Sequence, residues 1–129
     1  MPEQAGPRAL AATPDQREQL RLFAADISLP LERAGPLVDV LSAASRTRPE
    51  LAALLASIHD QRLENLRTLV VALAAGGPLR LEPEAPLETV WALASPDLYE
   101  LLTRTRGWTR ERYHVWLADS LTLLLLGDR

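Results

Sequence analysis

Twenty-six consecutive residues, 50–75, contain neither Pro nor Gly, and Pro49 and Gly76-Gly77 bracket them. At 100° per residue, Leu51, Leu55, Ile58, Leu66, Leu69 and Leu73 fall within about 80° of one another. Pro is tolerated in the first turn of a helix and Gly closes the last, so these marks read as a start and a stop. The spacing predicts one long helix from Pro49 to the Gly pair. Everything else in the chain must pack around that spine.

The rest of the sequence is helical in character as well. Leu and Ala supply more than a third of the 129 residues, while β-branched and aromatic residues are scarce. Straight-chain residues lose little rotamer freedom in a helix, so this composition favours helix over strand. The expectation is an all-α domain of about six antiparallel-packed helices over residues 13–129, preceded by a flexible lead-in over 1–12. Thr13-Pro14-Asp15 starts the first helix, with Thr13 as N-cap and Leu20, Phe23, Ala24 and Ile27 inward. Pro30 removes a backbone donor and predicts a break near Ser28. A second helix is expected from about Leu31, or from Gly35 because Pro36 lies inside the first turns, to Arg46, with Leu37, Val40, Leu41 and Ala44 along one face. The proline-rich stretch from Pro78 to Pro86 reads as a loop. A fourth helix follows over about Leu87 to Ala94, burying Leu87, Val90, Trp91 and Ala94. Ser95-Pro96-Asp97 starts a fifth, with Leu98, Leu101 and Leu102 inward, and Gly107 stops it. Thr109 caps a sixth that runs to about Leu126, with Trp108 and Tyr113 spaced as a hydrophobic staple.

Composition also narrows function. The net charge is −3, and all 14 basic residues are Arg. A mildly acidic chain is a poor polyanion binder by itself. Arg104, Arg106, Arg110 and Arg112 form the densest basic run, either a solvated corner between helices or a phosphate-binding surface. There is no Cys, hence no disulfide or thiolate chemistry, which suits a cytoplasmic protein. No apolar stretch approaches the roughly 20 residues that span a bilayer. His59 and His114 lie on different helices without carboxylates at metal-ligand spacing, and no nucleophile elbow or Gly-rich phosphate loop occurs. Neither an enzyme, a metal nor a cofactor is expected.

Arg62 stands out because it falls in the middle of the apolar arc of the long helix, between Ile58 and Leu66. An unpaired buried guanidinium is costly, so it needs a partner. Asp26 or Asp39 could pair with it, its head could snorkel to solvent, or it could anchor an anionic or carbonyl-bearing ligand. His59, one turn earlier, sits on the flank of the same arc. Five of the six aromatics, Trp91, Tyr99, Trp108, Tyr113 and Trp116, fall within 26 residues. Leu121, Leu123, Leu124, Leu125 and Leu126 point all around the helix axis. One core cannot cover every side, so a second partner surface is expected.

Five segments, in this order, carry a family resemblance: LRLFAADI, ERAGPLVDVLSAAS, HDQRLENL, VWALASPDLYELL and RGWTRERYHVWLADSLTLLLL. Over roughly residues 20–126 the chain resembles the C-terminal regulatory domain of TetR/AcrR-type transcription regulators. The stretch around Trp91, Ser95-Pro96, Gly107-Trp108 and Trp116-Leu117-Ala118-Asp119 is its most specific part. The resemblance implies a helical domain that takes a small-molecule effector and pairs with a second copy through its last two helices. By position it implies a homodimer interface at Tyr113, Trp116, Leu117, Ser120, Leu121 and Leu124. It implies a ligand pocket near Phe23, His59, Arg62, Leu66 and Trp91. Only 19 residues precede Leu20, too few for the family's N-terminal DNA-binding unit. DNA is therefore a partner only through a domain absent from this chain. The leading expectation is an effector-sensing, homodimerising regulatory domain. The alternatives are a standalone dimerisation protein that modulates a full-length relative, and a small helical carrier for an apolar ligand.

Overall fold

The computed structural model describes residues 15–80 and 85–127. The described residues are almost all helical, with no strand among them. Four α-helices have nine residues or more: α1 (Gln16–Ser45), α2 (Pro49–Ala75), α3 (Ala85–Leu93) and α5 (Arg110–Leu121). The short α4 (Pro96–Glu100) lies between the last two. Both α4 and α5 continue into one wider π turn, Leu101–Thr105 and Thr122–Leu126. The lead-in over 1–12 and the Thr13-Pro14 cap lie outside the described residues. Asp15 takes the N-cap role, its carboxylate accepting from the Arg17 N–H at 3.0 Å.

The six-helix expectation fails at its first boundary. α1 runs unbroken through Pro30 and Pro36 for 30 residues, joining the two helices expected on either side of Ser28. A mid-helix Pro costs roughly 3 kcal/mol, so packing along the whole length has to outweigh it twice. That packing is present. Leu20, Phe23, Ala24, Leu31, Gly35, Val38 and Leu41 form one continuous buried stripe, and α1 contacts α2, α4 and α5. The continuous helix also resets its C-terminal face. Leu37 (56% exposed) and Val40 (65%) point outward, contrary to expectation, and Val38 joins Leu41 inside.

Later boundaries follow the local chemistry of the sequence. Pro49 opens α2 and Gly76 caps it. Ser95 caps α4, its hydroxyl accepting from the Leu98 N–H at 3.0 Å, and Thr109 does the same for the Arg112 N–H in α5. Gly107, at φ 77°, makes the turn between them in a conformation that Gly adopts without strain. Leu101, expected inward, is exposed, because two residues beyond the buried Tyr99 it leaves the helix on the opposite side. The Arg106 N–H reaches back five residues to the Leu101 carbonyl at 3.1 Å, which rotates the side chains away from α-helical phase.

The core is one cluster. α1 supplies Leu20, Phe23, Ala24 and Leu31, and α2 supplies Leu66, Leu69 and Leu73. Leu87, Val90, Ala94 and Tyr99 come from the α3–α4 region, and Tyr113, Leu117, Leu121, Leu125 and Leu126 from the last helix. Gly35 lets α1 and α4 approach. A Cβ there would lie 2.6 Å from Glu100 Cδ and 2.8 Å from Cγ. Gly35→Ala is therefore expected to destabilise by about 1 kcal/mol: displacing Glu100 outweighs the ~0.5–1 kcal/mol helix-propensity gain. In a Glu100→Ala background the sign should reverse, and urea unfolding of the four variants reads this out. A stabilising Gly35→Ala with Glu100 intact would show that the close approach is not restrictive.

Candidate functional site

Among the described residues, no α-helical segment carries a basic residue in its last turn, and the π turn that continues α4 holds Arg104. The carbonyls that end α2, α3 and the last helix are instead served by groups from elsewhere in the fold, satisfying acceptors that a helix C-terminus leaves orphaned. Gln16 Nε2, at the start of α1, donates to the Leu73 and Gly77 carbonyls that end α2, at 2.8 and 3.0 Å. Arg80 clamps the end of the last helix, its backbone N–H donating to Leu125 O at 2.7 Å and its guanidinium to Leu123 O at 3.1 Å.

The densest such point is the junction of α3 and α4, which is the candidate functional site. Arg62 Nη2 donates to the carbonyls of Trp91 (2.6 Å) and Ala94 (3.1 Å). From α5, the Tyr113 hydroxyl donates to the Leu93 carbonyl at 2.7 Å. Two helices thus grip three carbonyls within four residues of the junction. The Arg62 guanidinium also lies over the Trp91 ring, 3.9 Å from its centroid, and His59 meets the same ring edge-on at 5.7 Å. Among the ligand-site residues expected from the sequence, the fold brings His59, Arg62 and Trp91 into direct contact. Phe23 and Leu66 are buried in the surrounding core.

Electrostatics at the junction follow from burial. Desolvation lowers the Arg62 pKa, and the Asp97 carboxylate and Tyr113 oppose that shift. A guanidinium stays protonated regardless, so its charge remains to be compensated by carbonyl dipoles. Burial pushes the Tyr113 phenol well above its ordinary range, so its proton is firmly held for the Leu93 carbonyl. Two polar atoms at this site, His59 Nδ1 and Arg62 Nε, are buried and lack a hydrogen-bond partner. The acids weighed as partners for Arg62 lie elsewhere. Asp39 lines an open cleft of about 530 Å³ together with Asp97, Glu100, Leu101, Arg104 and Thr105. Desolvation raises the pKa of Asp26.

The expected dimer surface is divided by the fold. Tyr113, Leu117 and Leu121 each have 0% exposure and belong to the core of the protomer. Trp116 and Ser120 are half-buried and Leu124 is exposed, so these three remain accessible. Tyr113 turns inward to meet the Tyr99 ring at 4.8 Å. Trp108 therefore closes the corner on Trp116, at 5.8 Å, with Trp116 tilted against Tyr113 at 5.7 Å. Sequence reasoning missed Val115, 52% exposed on the outer face of this helix, while Leu123, named among the residues that surround the helix axis, is exposed to the same extent. The basic run disperses: Arg104 pairs with Glu100, Arg110 with Glu32, and Arg112 stacks over Trp108. Among the described residues, no helix is long and apolar enough to cross a membrane, and no group of His, Asp and Glu could hold a metal ion. Comparison with protein-family models, with curated proteins and with solved structures finds no match to this chain.

Proposed function

We propose that the chain is the effector-sensing, homodimerising regulatory domain of a TetR-type transcription regulator, acting on DNA through a separate reading domain. One observation carries the sensing half: His59 Nδ1 and Arg62 Nε are both buried without partners beside the Trp91 ring. Native cores rarely leave two such atoms together, and an unmet donor costs about 1–3 kcal/mol. An acceptor-bearing effector, a carboxylate or a carbonyl compound, supplies what Arg62 Nε lacks, and it also meets His59 Nδ1 in the tautomer that carries the ring proton there. Arg62 Nη2 holds the Trp91 and Ala94 carbonyls, so an acceptor at Nε would act on that junction through the shared guanidinium plane. Tyr113 holds the next residue of the same junction, so the effector would bias the position of α5, and an equilibrium between two arrangements is what an allosteric domain requires.

Titrating the protein with small aromatic and aliphatic carboxylates, followed by tryptophan fluorescence, tests this reading. A saturable change that disappears in Trp91→Phe and weakens about tenfold or more in His59→Ala is expected, since losing a hydrogen bond to a charged group costs about 1.5–3 kcal/mol. A response that survives both substitutions would place the effector elsewhere. The alternative, a standalone dimerisation protein that modulates a full-length relative, draws on the exposed Val115, Leu123 and Leu124 of the last helix. It needs the pairing surface and no effector response.

A further inference from the structure

We propose that the last turn of the final helix has two interchangeable registers, with Arg80 as the latch that holds the observed one. This goes beyond the function proposed above, since it needs neither an effector nor a second copy. Continued as an α-helix at 100° per residue, Leu124 would leave the axis within about 20° of Tyr113 and Leu117, which are fully buried. Leu126 would leave within about 20° of Val115, which is 52% exposed. The burial is the reverse: Leu126 is 5% exposed and Leu124 40%. The π turn over Thr122–Leu126 accounts for this, because a turn that takes up one extra residue sets each later side chain back by one position. Leu125 and Leu126 therefore fill the core places that Leu124 and Leu125 would fill in an α-helix. Residues 123–126 are all Leu. Expelling the extra residue thus seats Leu124 and Leu125 in the same two places and turns Leu126 outward beside Val115. Core volume is conserved, the kind of exchange that a packed interior accepts. An α turn is the commoner geometry, so the wider one has to be held. Arg80 holds it: its N–H donates to Leu125 O at 2.7 Å and its guanidinium to Leu123 O at 3.1 Å, both inside the π turn. The segment that carries Arg80 is itself fixed to the first turn of α1, where Gln16 Nε2 donates to Gly77 O at 3.0 Å. A shift at that end of the bundle therefore decides whether Leu124 or Leu126 faces solvent.

The chain has no Cys, so a single introduced thiol reports on one position. In the observed register the Leu124→Cys thiol is open to solvent and should react readily with a disulfide reagent. Adding Leu126→Gln places a polar group in the core, which the α register avoids by turning residue 126 outward. Gln is uncharged and does not oppose the helix dipole. The double variant should stay helical by circular dichroism, and its thiol should react about tenfold or more slowly, because residue 124 has moved inside. A Leu126→Gln chain that unfolds, or that leaves the thiol as reactive as before, has no second register and overturns the proposal. Urea unfolding tests the latch. Arg80→Ala should lower the folding equilibrium constant about fivefold in the parent and no more than about twofold in Leu126→Gln, whose last carbonyls have already left Arg80. Equal losses in the two backgrounds overturn Arg80 as the latch.

Discussion

Leu121→Glu is expected to unfold the chain, with loss of the helical circular dichroism at 25 °C. Leu121 has no exposure and packs in the cluster that α1, α2 and the last helix share. Removing a buried Leu side chain costs about 2–5 kcal/mol, and a carboxylate in its place adds the cost of desolvating a charge or taking up a proton. Native stability is typically about 5–15 kcal/mol, so one such change consumes most of the margin. The same substitution at Val71, 63% exposed on α2, should move stability by no more than about 0.5 kcal/mol. A folded, soluble Leu121→Glu monomer would mean that this side of the helix faces a partner, as the family resemblance implies, and not the core of its own protomer.

The second large effect is expected at Arg62. Arg62→Met keeps the apolar stem and removes the head, so it isolates the contribution of the guanidinium. Two charge-assisted hydrogen bonds and the stack on Trp91 are lost, and the Trp91 and Ala94 carbonyls lose their donor. A charge-assisted hydrogen bond contributes about 1.5–3 kcal/mol and a partly exposed cation–π contact about 0.5–1. The guanidinium is only partly buried, and its burial cost is relieved in the variant, so about 3 kcal/mol is expected from urea unfolding. Arg62→Lys should recover only part of this, since an ammonium cannot span two carbonyls and lie flat on an indole. If Arg62→Met proves as stable as the parent, the guanidinium is not what holds the α3–α4 junction.

These two residues mark the difference between what a sequence states locally and what depends on distant parts of the chain. The starts of α2, α4 and α5 were legible because each is written within a few residues: Pro49, the Ser95-Pro96 pair and the Thr109 hydroxyl act on backbone groups one turn away. The all-helical character was legible for the same reason, since Leu and Ala favour helix wherever they stand. The inward sets of α3 and of the first half of α1 followed from periodicity alone, since a buried face repeats with the helix.

Continuity of α1 through Pro30 and Pro36 was not legible, because a local rule states the cost of a proline and only the neighbouring helices decide whether packing exceeds it. Leu37 and Val40 were misread for a related reason: a helical wheel anchored at a false boundary selects the wrong arc. Arg62 was recognised as a charge in need of a partner, but its partners are carbonyls 29 and 32 residues away, and a backbone acceptor leaves no mark in the sequence. The last helix shows the same division. Its sequence determines that apolar residues occur all around it. The tertiary structure alone decides which of them the protomer covers itself: Tyr113, Leu117 and Leu121 turn toward α1 and the α3–α4 junction, and Val115 and Leu123 are left outside. Periodicity gives the directions in which side chains leave a helix, whereas the neighbours they meet depend on how the whole chain is packed.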